Sequence, residues 1–179
     1  MKNKSDGLTI LVCGSSKFDD KSFVFGILDA LFNELNGKID TIVTSRFSGA
    51  SHYAREWTRQ VVDLVGVSIK IEDCNFDDIL EEKNLSLYES VDIPSFILKN
   101  DPFFQKGKEK LLETGVKMVC AFPNKEGVLG TATLNIQRFA SLAGISCCDC
   151  SSAFDIIKTQ RYAEENSVEN KSEVKQLKP

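Results

Sequence analysis

No apolar run in the 179 residues approaches the roughly 20 residues that a helix needs to cross a bilayer. The opening residues, Met1-Lys-Asn-Lys-Ser-Asp, lack the apolar segment of a secretory signal. Basic charge is in deficit as well: 22 Lys and Arg stand against 26 Asp and Glu, for a net charge of −4. That balance argues against a general binder of nucleic acid or of an anionic membrane surface. The one histidine, His52, leaves no histidine pair for a zinc site. The expectation is a soluble, cytoplasmic protein with neither nucleic acid nor membrane as partner.

Cysteine, by contrast, is plentiful, with six residues. Four of them (Cys13, Cys120, Cys147 and Cys148) lie in or beside apolar, strand-like runs, where cysteine behaves as a small hydrophobe, so reduced thiols are expected rather than disulfides. Cys147-Cys148-Asp149-Cys150 is the one cluster with the look of a metal site. It has no second Cys or His pair at zinc spacing, and no metal and no cofactor are expected.

The chain length suits one sizeable core and is short for two. Residues 1–162 read as a single domain and 163–179, dominated by Glu, Asn, Lys and Ser, as a flexible polar tail. The central stretch is 117–145. Met118 to Phe122 is a continuous apolar run, as in a strand covered on both faces; Pro123 ends it. Gly127 and Gly130 let the backbone turn, Thr131 opens a helix, and Gly144 is placed to end that helix in the left-handed conformation. Free N–H groups at the start of such a helix, with a threonine hydroxyl beside them, suit an anion such as phosphate. The plainer alternative is a βα turn that binds nothing.

Two further loops share this design. Leu8 to Cys13 reads as a strand, and Gly14, Ser15, Ser16 and Lys17 after it form a second phosphate cradle, or else a polar turn in which Asp19 or Asp20 caps the helix from Lys21 to Leu35. Ile39 to Thr44 is the next strand, followed by Ser45 to Ser51. There Arg46 offers a guanidinium for bidentate phosphate recognition, alongside Ser48 and Gly49. The helix from about Ala50 to Val65 carries His52, expected at the surface, and Trp57, expected in the core. Val67 to Ile71 is a third strand.

Residues 73–98 are acidic and irregular and read as a lid or insertion. Lys99 and Asn100 precede a helix from Phe103 to Thr114, with Asp101 as N-cap and Pro102 as first residue, and are placed to project toward a ligand. Strands at 117–122 and 145–148 and a last helix at 151–162 complete the alternation. The fold class expected is α/β, a Rossmann-like three-layer sandwich on a mainly parallel sheet of about five strands. In such a sheet all three glycine-bearing loops follow strands, so they share the carboxyl edge where ligands bind.

The ordered blocks Gly14-Ser-Ser-Lys-Phe-Asp-Asp, Ser48-Gly-Ala-Ser leading to Ala54-Arg-Glu-Trp, Lys99-Asn100, Ala121-Phe-Pro to Gly130-Thr131, and Ala143-Gly-Ile145 resemble those of the SLOG superfamily of Rossmann-like proteins, in its YspA/YpsA-like branch. The resemblance spans about residues 8–150. It implies a nucleotide-type ligand held by Gly14 to Lys17, Arg46 to Ser51 and Gly127 to Thr131, and a homodimer or higher homo-oligomer. The superfamily also holds the Lonely Guy phosphoribohydrolases, whose glutamate three residues after the Gly-Thr threonine is here Leu134. Asn124-Lys-Glu-Gly-Val-Leu129 likewise replaces the family's consecutive glycines, and Thr44-Ser45-Arg46 stands where a His-Gly-Gly type run is usual. The expectation is a nucleotide-binding sensor, sequestering or regulatory module. Two alternatives stay open: a phosphoribohydrolase using another carboxylate, with Glu126 the nearest, and a partner-binding module with a decayed site.

Overall fold

The computed structural model describes residues 7–44, 49–80 and 93–162. Strands and helices alternate as β1 (Leu8–Gly14), α1 (Lys21–Glu34), β2 (Ile39–Thr44), α2 (Ala50–Val65), β3 (Lys70–Asp73), α3 (Asp77–Leu80), α4 (Ser95–Asn100), α5 (Pro102–Glu113), β4 (Met118–Phe122), α6 (Thr131–Ala143) and β5 (Ser146–Asp149), with a last helix, α7, at 151–162. The five strands are all parallel, in the order β3-β2-β1-β4-β5. The chain winds outward from β1 through β2 to β3, crosses back, and continues through β4 to β5. The direction of winding therefore reverses between β1 and β4.

Alternation along the strands divides the core in two. Ile10, Val12, Ile42, Cys120 and Phe122 face a layer made by α1, α2 and α7, with Phe23, Leu28, Ala54, Trp57 and Phe154 as its main contributions. Leu11, Cys13, Val43, Val119 and Ala121 face α3, α5 and α6 through Phe76, Phe104, Leu111 and Phe139. Because both faces are covered, the inner strands read as unbroken apolar runs instead of alternating ones. Trp57, at 1% exposure, is a core residue as expected, and its Nε1 donates to Asp29 Oδ1 at 2.8 Å.

The helix ends follow their cap residues. Asp20 accepts from the Phe23 N–H at 2.9 Å, Asp101 accepts from the Phe103 N–H at 2.8 Å with Pro102 at the first helical position, and Gly144 closes α6 at φ 68°.

Three boundaries differ from the sequence reading. The third strand was expected at 67–71, but pairing with β2 begins only at Lys70, opposite Thr41, and runs to Asp73. Val67 to Ile69 are the approach to the sheet, with Ile69 already buried. The last strand is displaced one residue toward Asp149, and Gly14 is the final residue of β1, opposite Phe122. Inside the segment read as irregular, Ser95–Asn100 forms a helix for which Pro94 is the N-cap. Of the expected lid at 73–98, residues 81–92 lie outside the described residues, as does the tail at 163–179.

Two helical glycines sit in opposite surroundings. Gly26, inside α1, has open space where a Cβ would go. Gly26→Ala is expected to stabilise the fold by about 0.5–1 kcal/mol, the ordinary helix-propensity difference. Gly107, inside α5, lies so close to the Phe139 ring of α6 that a Cβ would fall against the ring atoms. Gly107→Ala is therefore expected to cost about 1–3 kcal/mol despite the better propensity. Urea denaturation of the two variants side by side checks both signs.

Candidate functional site

Residues of one rim meet where the winding reverses, at the carboxyl ends of β1 and β4. Gly14 ends β1 so tightly against its neighbours that an added Cβ would lie 2.9 Å from Phe122 Cβ and 3.1 Å from Ala50 Cβ. Ala50 is the first residue of α2, and Ser51 behind it donates from Oγ to the Val12 carbonyl at 3.2 Å, tying the start of α2 to the end of β1. Gly49 precedes α2 with φ 74° and ψ −137°, and a Cβ there would collide with the Ser15 carbonyl oxygen. Only glycine meets both requirements without strain. The Gly14 loop and the start of α2 thus form one packed unit.

On the other side of Gly14 stands the start of α6. Cys13 and Gly14 share a small cavity of about 30 Å³ with Phe76, Leu80, Ala132 and Thr133. That volume takes a water molecule, not a nucleotide. The N-cap of α2 is Gly49 and that of α6 is Gly130, so neither N-cap residue supplies a side chain to the first N–H groups of its helix. Two helix dipoles therefore present their positive ends beside Gly14. A Cβ at Gly130 would meet nothing within 4 Å, so the outer side of the α6 start is unobstructed.

The loop from Pro123 to Gly130 is held from within. Asn124 Oδ1 accepts from the Glu126 and Val128 N–H groups at 3.0 Å each, and the Asn124 carbonyl accepts from Gly127 N–H at 3.0 Å. These three N–H groups are thereby satisfied inside the loop, and capacity for an anion rests with the start of α6 beyond it. Glu126 is exposed on this turn, and no carboxylate is among the described residues lining the cavity at Gly14.

A guanidinium not singled out from the sequence also stands at the rim. Arg55, on the second turn of α2, donates from Nε to Thr44 Oγ1 at 2.8 Å and pairs with Asp73, joining the ends of β2 and β3. Its position in the Ala54-Arg55-Glu56-Trp57 block, one helical turn after Ser51, was the available signal. Arg46 and Ser48, the residues nominated nearest to it, lie outside the described residues.

Helix α7 lies across the loops of this edge. Its Phe154 packs edge-to-face on Phe18 and Phe23 at 5.4 and 5.1 Å between ring centres. Asp155 sits against Gly127, Lys158 Nζ approaches the Lys125 carbonyl at 3.4 Å, and Arg161 pairs with Asp20 at 2.5 Å. Between helix and loops is a hollow of about 350 Å³ bordered by Asp19, Asp20, Lys125, Lys158, Arg161 and Tyr162. It falls at the low end of the volumes that hold small ligands.

Of the remaining nominated residues, Ser16 and Lys17 are exposed on the Gly14 loop, and Thr131 opens α6 beside the rim. Lys99 and Asn100 are the last two residues of α4. Asn100 Nδ2 donates to the Phe96 carbonyl at 2.7 Å, which keeps its side chain on α4, and the Lys99 backbone carbonyl accepts from Gln105 Nε2 at 2.6 Å. Leu98 of α4 faces a different hollow, about 550 Å³, with Ile93, Leu134, Arg138, Ser141 and Ile145. Buried Arg138 donates there to Asn135 Oδ1 at 2.8 Å, and its burial lowers its pKa. The Asn135 Nδ2 has no partner among the described residues.

All six cysteines are free thiols. Burial pushes the Cys13 thiol far above the ordinary thiol range, and pushes Cys74 and Cys147 up to about 11, so these three stay protonated at neutral pH. Comparison of the chain with protein-family models, curated proteins and solved structures found no match among any of them.

Proposed function

We propose that the chain is a binder of a nucleotide or nucleotide-derived ligand at the carboxyl edge of its sheet, serving as a sensor, sequestering protein or regulatory module of the SLOG type. The observation that carries this reading is the pair of helix starts with glycine as N-cap, Gly49 and Gly130, flanking Gly14 where the winding reverses. Oriented N–H groups at two helix ends favour a phosphate without any side-chain cation, and the reversal is where open α/β sheets take their ligands. The cavity behind Gly14 is too small to enclose a nucleotide, so the ligand lies on the rim, with its phosphate outside the α6 start and the rest toward the hollow under α7.

A hydrolytic role fits less well. The residue one turn into α6 is Leu134, which lines the hollow beneath α4, and Glu126 is held on an exposed turn by Asn124. The homo-oligomer belongs to the same proposal, and light scattering of the purified chain reports it.

Thermal unfolding against AMP, ADP-ribose, NAD and cyclic dinucleotides tests the binding. A ligand at about 100 times its dissociation constant adds about 2.7 kcal/mol to folding stability, which for a chain of this size raises Tm by about 5–10 °C. Flat melting curves across the whole panel at millimolar ligand would sink the reading.

A further inference from the structure

We infer that Cys148 and Cys150 form a thiol pair that hydroperoxides oxidise reversibly to a disulfide at the foot of α7. The pair belongs to the Cys-Cys-Asp-Cys cluster, which the ligand rim does not use. Side chains two residues apart on a strand share a face, and the Cys148 and Cys150 sulfurs lie 3.9 Å apart. Cys120 is the cross-strand neighbour of Cys148 in the β4–β5 register, so three thiols gather on the α1 and α7 side of the sheet. Cys148 is the partly exposed member, whereas Cys120 and Cys150 are buried at 0% and 1% exposure.

That arrangement assigns distinct roles. The sulfur reached from solvent stands 3.9 Å from Cys150 Sγ, which also lies 3.7 Å from the Cys148 carbonyl, and the neighbouring Cys120 and Cys150 thiols hold Cys148 below the usual thiol range. A thiolate with partial access is the form that peroxides attack. The Cys148 thiolate takes the distal oxygen of the hydroperoxide: an S–O bond forms, the O–O bond breaks, and the alkoxide leaves and is protonated to the alcohol. The Cys150 sulfur then attacks the sulfenic sulfur: the S–S bond forms, the S–O bond breaks, and hydroxide leaves with the Cys150 proton as water. Two thiols are oxidised by two electrons, and one peroxide is reduced to an alcohol and water.

Geometry favours Cys150 over Cys120 as the resolving partner. Cys120 sits in the middle of β4, fixed by ladders to β1 and β5 on both sides. Cys150 lies one residue past the end of β5, with its N–H on the Ala121 carbonyl at 3.0 Å and its carbonyl accepting the Phe154 N–H of α7 at 3.0 Å. Extended residues two apart span about 6.6 Å between Cα atoms, the upper end of what a disulfide bridges. Closure therefore draws Cys150 toward Cys148, and a ring over the single residue Asp149 is of the strained, easily reduced kind.

Treatment of the full chain with hydrogen peroxide, alkylation and peptide mass mapping tests this. One peptide is expected to become lighter by two hydrogens, with the link assigned to Cys148–Cys150 by fragmentation and removed by dithiothreitol. Before oxidation, Cys148 is expected to react with iodoacetamide at pH 7 about tenfold or more faster than adjacent Cys147. Cys150→Ala is expected to leave a sulfenic acid at Cys148 that dimedone traps, and Cys147→Ser to leave the disulfide unchanged. Six alkylatable thiols after exposure to peroxide sufficient to oxidise free cysteine would overturn the inference, as would a link from Cys148 to Cys120 or Cys147. These readouts involve no nucleotide, so they stand or fall apart from the ligand proposal.

Discussion

Phe139→Ala is expected to cost about 3–5 kcal/mol, among the largest single losses a core ring produces, and so to remove a large part of a typical folding stability of about 5–15 kcal/mol. Phe139 is fully buried and is the hub of an aromatic group: its ring centre lies 5.5 Å from Phe103, 6.1 Å from Phe104 and 6.2 Å from Phe76. These rings bind α3, α5 and α6 into the layer that carries the start of α6 at the rim. Removing the hub leaves a void whose lining is drawn from three helices, and such a void collapses poorly.

The glycine facing that ring sharpens the prediction. In the native chain a Cβ at Gly107 meets Phe139; once the ring is gone, the same Cβ occupies vacated space. Gly107→Ala is therefore expected to change sign, from destabilising in the native background to neutral or stabilising beside Phe139→Ala. A double-mutant cycle by urea denaturation reads this as a coupling of about 1–3 kcal/mol between the two positions. Additive losses would show that the α5–α6 approach is not set by this contact.

Gly49→Ala carries the second large effect, expected at about 2–4 kcal/mol. The left-handed backbone at φ 74° alone costs a side-chain-bearing residue about 1–3 kcal/mol, and the Cβ also displaces the Ser15 carbonyl. That carbonyl accepts the Phe18 N–H at 3.1 Å, so the damage should travel into the loop after β1. Hydrogen exchange at Phe18 is the specific readout: its protection should fall by more than the global loss of stability requires. The same variant should lose whatever ligand stabilises the native protein, because the substitution separates the Gly14 loop from the start of α2. Unchanged exchange at Phe18 would mean that the two loops do not depend on each other.

Much of this frame was legible in the residues. Leu8 to Cys13 and Met118 to Phe122 announced inner strands because both their faces are covered, which leaves no polar positions to blur the pattern. Asp20, Asp101 with Pro102, and Gly144 announced helix ends because each supplies a specific backbone need. The apolar pattern places the third strand three residues early because its apolar residues fall before the paired stretch: β3 is an edge strand, and Lys70, Glu72 and Asp73 look outward as charged residues there can. Helix α4 is not legible in the sequence because six residues with one lysine and two exposed apolar side chains, Phe96 and Ile97, carry no usable period.

The rim was legible only in outline. Glycine after a strand marks a turn, but it does not reveal whether the freed space is filled. At Gly14 and Gly49 it is filled by neighbouring backbone and by Phe122 and Ala50; at Gly130 it is open. Sequence also treated 123–131 as one anion loop, whereas Asn124 divides it into a self-satisfied turn and a free helix start. The path of α7 over these loops depends on Asp155, Lys158 and Arg161 meeting partners far away along the chain, a pairing that no local pattern encodes.

The strand order also sets a timetable for folding during synthesis. Leu8–Gly14 precedes the other four strands of this sheet in the chain, yet its place is the middle of the sheet, and the partner on one flank, with Met118 opposite Ile10, follows only after β2, β3 and three helices beyond them. Until β4 is made, one side of β1 has no ladder, so this pairing closes a long loop of chain, the kind of non-local contact that slows folding.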